Sequence, residues 1–178
     1  MGIITKITLE EIQQHFECKT LQPSTDGVSD SVYFLDNNYI LKVFEAKEVS
    51  VIEEEVKLLK ICEGLKVPKL IKKDFFIHDK PALIYQKCAG VSLQKVAICD
   101  LEEIGKFLQS FHHRTTQKES KNSELFTKKR LLGLIEKTGY EPFLNSFHHL
   151  DIELKNDGII HGDLFLDNAT FVKRKLSC

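Results

Sequence analysis

The stretch His161-Gly162-Asp163-Leu164-Phe165-Leu166-Asp167-Asn168 sets its polar side chains between two apolar runs, Ile159-Ile160 before it and Ala169 to Val172 after it. Apolar runs of this kind read as short strands, so the polar groups are expected in a strand-flanked loop. Phosphoryl transfer needs a carboxylate to orient and deprotonate an acceptor hydroxyl, and a neutral oxygen ligand to help hold magnesium on the phosphates. Asp163 is the candidate for the first role and Asn168 for the second; the spacing is that of the base and the metal-ligating amide in the protein-kinase loop H-R-D-x-x-x-x-N. The plainer alternative is that Asp163 and Asn168 only cap a turn, as both residue types often do. His161 reads as an orienting, hydrogen-bonded histidine, because Asp163 already fills the role of base.

Ahead of that loop the chain changes character once. Thr8 and Glu11 form a capping box for a short helix over Leu9 to Phe16. Ser31 to Leu35 and Tyr39 to Phe44 read as a hairpin around the turn Asp36-Asn37-Asn38, whose residues tolerate positive φ. A helical period then runs from Lys47 to Glu63 and ends at Gly64, followed by strands at Lys69 to Ile77 and Ala82 to Gln86. From Asp100, which with Glu103 suggests a second capping box, the pattern is helical. Further helical stretches are expected at 125–137 and 142–154. The fold class is therefore α+β, with an N-terminal antiparallel sheet carrying one helix (1–87) and a mainly helical second part that contains the loop (88–178).

The string His161-Gly162-Asp163 with Asn168 resembles the signature of the aminoglycoside phosphotransferase and choline kinase superfamily, which has a protein-kinase-like two-lobe fold. The fuller string from His161 to Asn168 is most similar to the homoserine kinase type II branch, which usually has proline where this chain has Leu166. Thr5 to Glu11 and Gly27 to Phe34 resemble that branch too. The resemblance implies a cytoplasmic kinase that uses ATP and magnesium to phosphorylate a hydroxyl of a small polar molecule, homoserine first, a choline-like alcohol or an aminoglycoside next. In that family the acid that bridges the phosphates through magnesium follows the asparagine by one β-hairpin. No aspartate stands there before Cys178, so the expectation is a chain cut short of it, with weak or absent catalysis if these residues are the whole product and the family activity in the complete protein if they are not.

A kinase also needs a fixed cation on the phosphates, held by a carboxylate from a helix. Lys42 interrupts the apolar run Ile40 to Phe44 and is the candidate; the alternative is a strand lysine snorkelling outward. Three acids, Glu53, Glu54 and Glu55, compete to be its partner. At about 100° per residue only Glu55 shares an arc with Ile52, Val56, Leu59 and Cys62, and a carboxylate on an apolar arc calls for a cation. The phosphate loop is placed at Thr25 to Ser31, with Gly27 allowing close backbone approach and Ser29 and Ser31 offering hydroxyls. By resemblance, Tyr85-Gln86-Lys87-Cys88 is the hinge whose backbone holds adenine, so Gln86 and Cys88 count as nucleotide-site residues.

Other chemistries fit less well. A net charge of -1 provides no field to hold a polyanion, and no apolar run reaches membrane-spanning length, so neither nucleic acid nor membrane is expected as a partner. Five cysteines without a C-x-x-C pair read as reduced thiols. The pairs His112-His113 and His148-His149 suggest a metal hydrolase, but adjacent helical residues diverge by about 100° and do not converge on one ion. Lys173-Arg174-Lys175 reads as a solvated turn. A nucleotide-binding protein without catalysis is the remaining alternative.

Overall fold

The computed structural model describes residues 3–24, 29–116, 127–150, 159–160, 164 and 168–178. Helix α1 (Leu9–Gln13) starts with the expected reciprocal cap: Glu11 N–H donates to Thr8 Oγ1 and Thr8 N–H to Glu11 Oε2. Strands β1 (Leu21–Pro23), β2 (Ser31–Leu35) and β3 (Tyr39–Val43) follow. Asp36 and Asn37 take φ of 49° and 57°, which turns β2 into β3. The Asp36 carboxylate also accepts the N–H groups of Lys19 and Thr20, at 2.9 and 2.7 Å, and so fixes the chain just before β1. Helix α2 spans Val49–Ile61, and β4 (Leu70–Ile77) and β5 (Lys80–Gln86) close a fully antiparallel sheet in the order β1-β2-β3-β5-β4.

Strand alternation divides the core between the two faces of this sheet. Leu41 and Val43 of β3 join Leu35, Tyr33, Ala82, Ile84 and Ile77 on the face that packs Ile12 of α1. Each such buried aliphatic side chain stabilises by about 1.5–3 kcal/mol, which fixes the register. On the other face Leu83 and Tyr85 of β5 pack with Phe44 and with Ile52, Val56 and Leu59 of α2. Lys42, between Leu41 and Val43, is thereby turned to the α2 face.

The described residues group into two compact units, 1–110 with 163–178, and 111–162. In the first, the segment after β5 pairs with the short hairpin β6 (Phe171–Val172) and β7 (Lys175–Leu176) through a Val91–Phe171 bridge. Gly90, at φ 93°, sits so close that a Cβ there would lie 2.3 Å from the Phe171 carbonyl oxygen. Ala169, Phe171 and Leu176 form a small core with Leu93, Leu164 and with Ile104 and Phe107 of helix α3 (Ile98–Thr115). The second unit holds helix α4 (Lys128–Thr138), capped by Thr127 and ended by Gly139 at φ 64°, and helix α5 (Glu141–His149). Among the described residues no helix is long and apolar enough to cross a membrane.

Four sequence expectations are corrected here. Asp100 is not the cap of α3: the helix begins at Ile98, and Asp100 sits in its first turn, accepting Ala97 N–H at 2.8 Å. Its fully buried carboxylate also receives Arg174 at 2.5 Å, and Glu103 takes Lys175 at 3.1 Å, so the Lys173 to Lys175 turn, though exposed, is more than a solvated turn: it is ion-paired to α3. Ile159 and Ile160 are not a strand; Ile160 is exposed. Finally, Cys88 and Cys178 form a disulfide with Cα atoms 5.9 Å apart, because the Val91–Phe171 bridge brings their segments side by side. Cys18, Cys62 and Cys99 are in no disulfide.

Candidate active site

Lys42 leaves β3 on the α2 face, where one turn of helix points Glu55 at the sheet. Its Nζ lies 3.7 Å from Glu55 Oε2 and 3.7 Å from Asp30 Oδ2, and 4.5 Å from the centre of the Phe44 ring. Neither carboxylate is within hydrogen-bond distance of this ammonium. Glu55 is held from its other oxygen: the Tyr85 hydroxyl donates to Oε1 at 2.6 Å. Burial first, and then the Glu55 charge, push the Tyr85 phenol well above its ordinary range, so this group stays a donor. The neighbouring acids are elsewhere, Glu54 on Lys57 at 2.9 Å and Glu53 exposed, as the helical arc requires.

Two residues of this cluster carry no local signal in the sequence. Asp30, with a side chain only 6% exposed, receives Lys47 at 3.2 Å as well as Lys42. Lys47 is expected inside α2, yet the helix starts only at Val49, leaving Lys47 on the connecting segment where it can face Asp30. The family resemblance puts Tyr85 in the expected hinge segment, where only its backbone would matter. Alternation with Leu83 in β5 would have put its ring on the α2 face instead.

The other nucleotide-side candidates divide. The Ser31 hydroxyl is committed to the sheet's opposite side, donating to Glu45 Oε1 at 2.5 Å and accepting Ile4 and Thr5 N–H, which corrects its assignment as a phosphate donor. Ser29 is exposed, and Gly27 lies outside the described residues. In the expected hinge segment, Gln86 N–H is bonded to the Lys69 carbonyl and Lys87 N–H to the Asn38 carbonyl, each at 2.8 Å. The Cys88 N–H has no hydrogen-bond partner among the described residues. Asn168 is exposed, just ahead of β6; His161 and Asp163 lie outside the described residues. Of the histidine pairs, His149 Nδ1 bonds the Asn145 carbonyl at 2.6 Å, and among the described residues no group of three or more His, Cys, Asp or Glu could hold a metal.

No protein-family model matches the sequence, and comparison with curated proteins gives no match. Solved structures do. The ternary complex of streptomycin, ATP and APH(2")-IIa superposes with a TM-score of 0.63 at 15% identity, covering 97% of this chain and 70% of that one. The GDP and kanamycin complex of APH(2")-IIia gives 0.67 at 14% identity, over 94% and 68%. Macrolide 2'-phosphotransferase MphH from Brachybacterium faecium gives 0.58 at 12% identity, over 94% and 68%. The chain has the phosphotransferase fold. Within that kinase-like fold the antiparallel sheet with α2 is the part that carries Lys42, Glu55 and Tyr85.

Proposed function

We propose that this chain binds ATP and transfers its γ-phosphate to a hydroxyl of a small polar molecule. The observation that carries the reading is the Lys42 ammonium, poised between two carboxylates at ion-pair distance yet making no hydrogen bond among the described residues, so its N–H donors are available to phosphate oxygens. Glu55, locked by Tyr85, holds that ammonium in place, and the Cys88 N–H is the hinge group best suited to adenine. Asp163 orients and deprotonates the acceptor hydroxyl, with His161 steadying the loop. Magnesium would come with the phosphates, with Asn168 as a protein ligand, and would neutralise phosphate charge there.

Homoserine is the acceptor implied by the string His161 to Asn168. The names of the superposed proteins add aminoglycosides and macrolides, and choline-like alcohols complete the set. Thermal-shift titration with Mg-ATP should raise the melting temperature in step with ligand concentration, and Lys42→Met should remove that rise. ADP release over the acceptor set then names the substrate. A melting temperature indifferent to millimolar Mg-ATP would reject the reading. A second reading, nucleotide binding without transfer, expects the thermal shift but no ADP release with any acceptor.

A further inference from the structure

We propose that Lys47 is a second phosphate-binding cation of this site, beside Lys42. The inference rests on the ATP reading above and extends it to a residue outside the sheet. Asp30 provides the first reason. A carboxylate 6% exposed is costly unless it is paired, and this one is paired twice at a single oxygen: Lys47 Nζ donates to Oδ2 at 3.2 Å and Lys42 Nζ stands 3.7 Å from the same atom. Its other oxygen accepts the Glu45 N–H at 3.3 Å, so the carboxylate is fixed from the backbone of the segment that carries Lys47. Asp30 therefore sets where both ammonium groups stand.

Phe44 provides the second. Its buried ring lies under both cations, 4.5 Å from Lys42 Nζ and 5.2 Å from Lys47 Nζ, and directs their stems from one apolar platform. The third reason is exposure. The Lys47 side chain is 39% exposed and that of Lys42 25%, so neither side chain is sealed from solvent. Among the described residues Lys47 uses one N–H on Asp30 and Lys42 uses none in a hydrogen bond, which leaves donors on both. Two ammonium groups gathered at one oxygen, with unused donors, suit a ligand with several linked anionic groups better than one with a single charge. A nucleoside triphosphate is such a ligand.

The test is calorimetric titration of AMP, ADP and ATP, each with magnesium, into the wild type, Lys47→Met and Lys47→Arg. Lys47→Met should weaken ATP by about tenfold, ADP less and AMP hardly at all, while Lys47→Arg keeps most of the ATP affinity. Melting temperatures of the free variants within a degree or so of the wild type show that folding is not the cause. Equal weakening of all three nucleotides would make Lys47 a structural residue and overturn the inference, as would unchanged affinity for all three. In both of those cases the wild type still binds ATP and the function stands; a wild type that binds no nucleotide removes the function and this inference together.

Discussion

A buried charge in or beside a sheet persists only where its surroundings answer it, and Glu45, two residues past β3, shows this as clearly as Lys42. Its carboxylate, 6% exposed, accepts Ser31 Oγ, Thr5 Oγ1 and N–H, and the Lys80 ammonium. Burial pushes its pKa up, but Lys80, Ser31 and Thr5 outweigh that and bring it down to about 2, from 4.5. A carboxyl lowered on folding adds stability that is fully present above its unfolded value and is lost as pH falls from about 4.5 through about 2. That contribution is at most about 3 kcal/mol. Urea titrations between pH 6 and pH 2 should show the wild type losing stability over this window, whereas Glu45→Gln starts lower and falls less steeply. Parallel pH curves for the two proteins would refute the assignment. In the sequence Glu45 stands unmarked, since its partners come from positions 5, 31 and 80. Glu55 is legible because its own helix reveals its direction; Asp30 and Lys47 are not, because their meeting depends on where α2 begins.

Elements whose determinants are local read correctly from the chain, and those with distant partners do not. The cap of α1 has both partners within three residues, and the hairpin of β2 and β3 announces itself through Asp36 and Asn37. Asp100 looks like a cap by the same local rule, but the Arg174 that claims it lies 74 positions away. The crossing segment at Gly90 is likewise set from afar, by the Phe171 carbonyl. Two glycines separate backbone strain from close approach. Gly64, at φ 86°, has open space around it, so Gly64→Ala should cost only the left-handed penalty, about 1 kcal/mol. Gly90→Ala adds a clash of 2.3 Å with backbone that cannot retreat without breaking the Val91–Phe171 bridge. Its loss should exceed that of Gly64→Ala by about 1–3 kcal/mol. Denaturant midpoints measure the difference, and equal losses would mean that the bridge is not held closely in solution.

At the scale of the whole molecule, the two-layer sheet with α2 follows from alternation and helical period, while the attachment of the β6 and β7 hairpin does not. Nothing near Cys88 or Cys178 marks them as partners. Three links hold this attachment: the backbone bridge at Val91, the Arg174 and Lys175 ion pairs to α3, and the disulfide across 90 positions. Arg174 and Lys175 are largely exposed, so their pairs are screened by water and salt, and the covalent link carries more. Closing a loop of that length restricts the unfolded chain and should stabilise by about 2–4 kcal/mol. Alkylation of the denatured protein should therefore modify three cysteines before reduction and all five after it. A non-thiol reductant should lower the urea midpoint of the wild type and leave that of Cys88→Ser unchanged. Five alkylated cysteines without reduction would show that the two thiols only lie near each other. The hairpin would then be held by its core, the Val91–Phe171 bridge and the ion pairs alone.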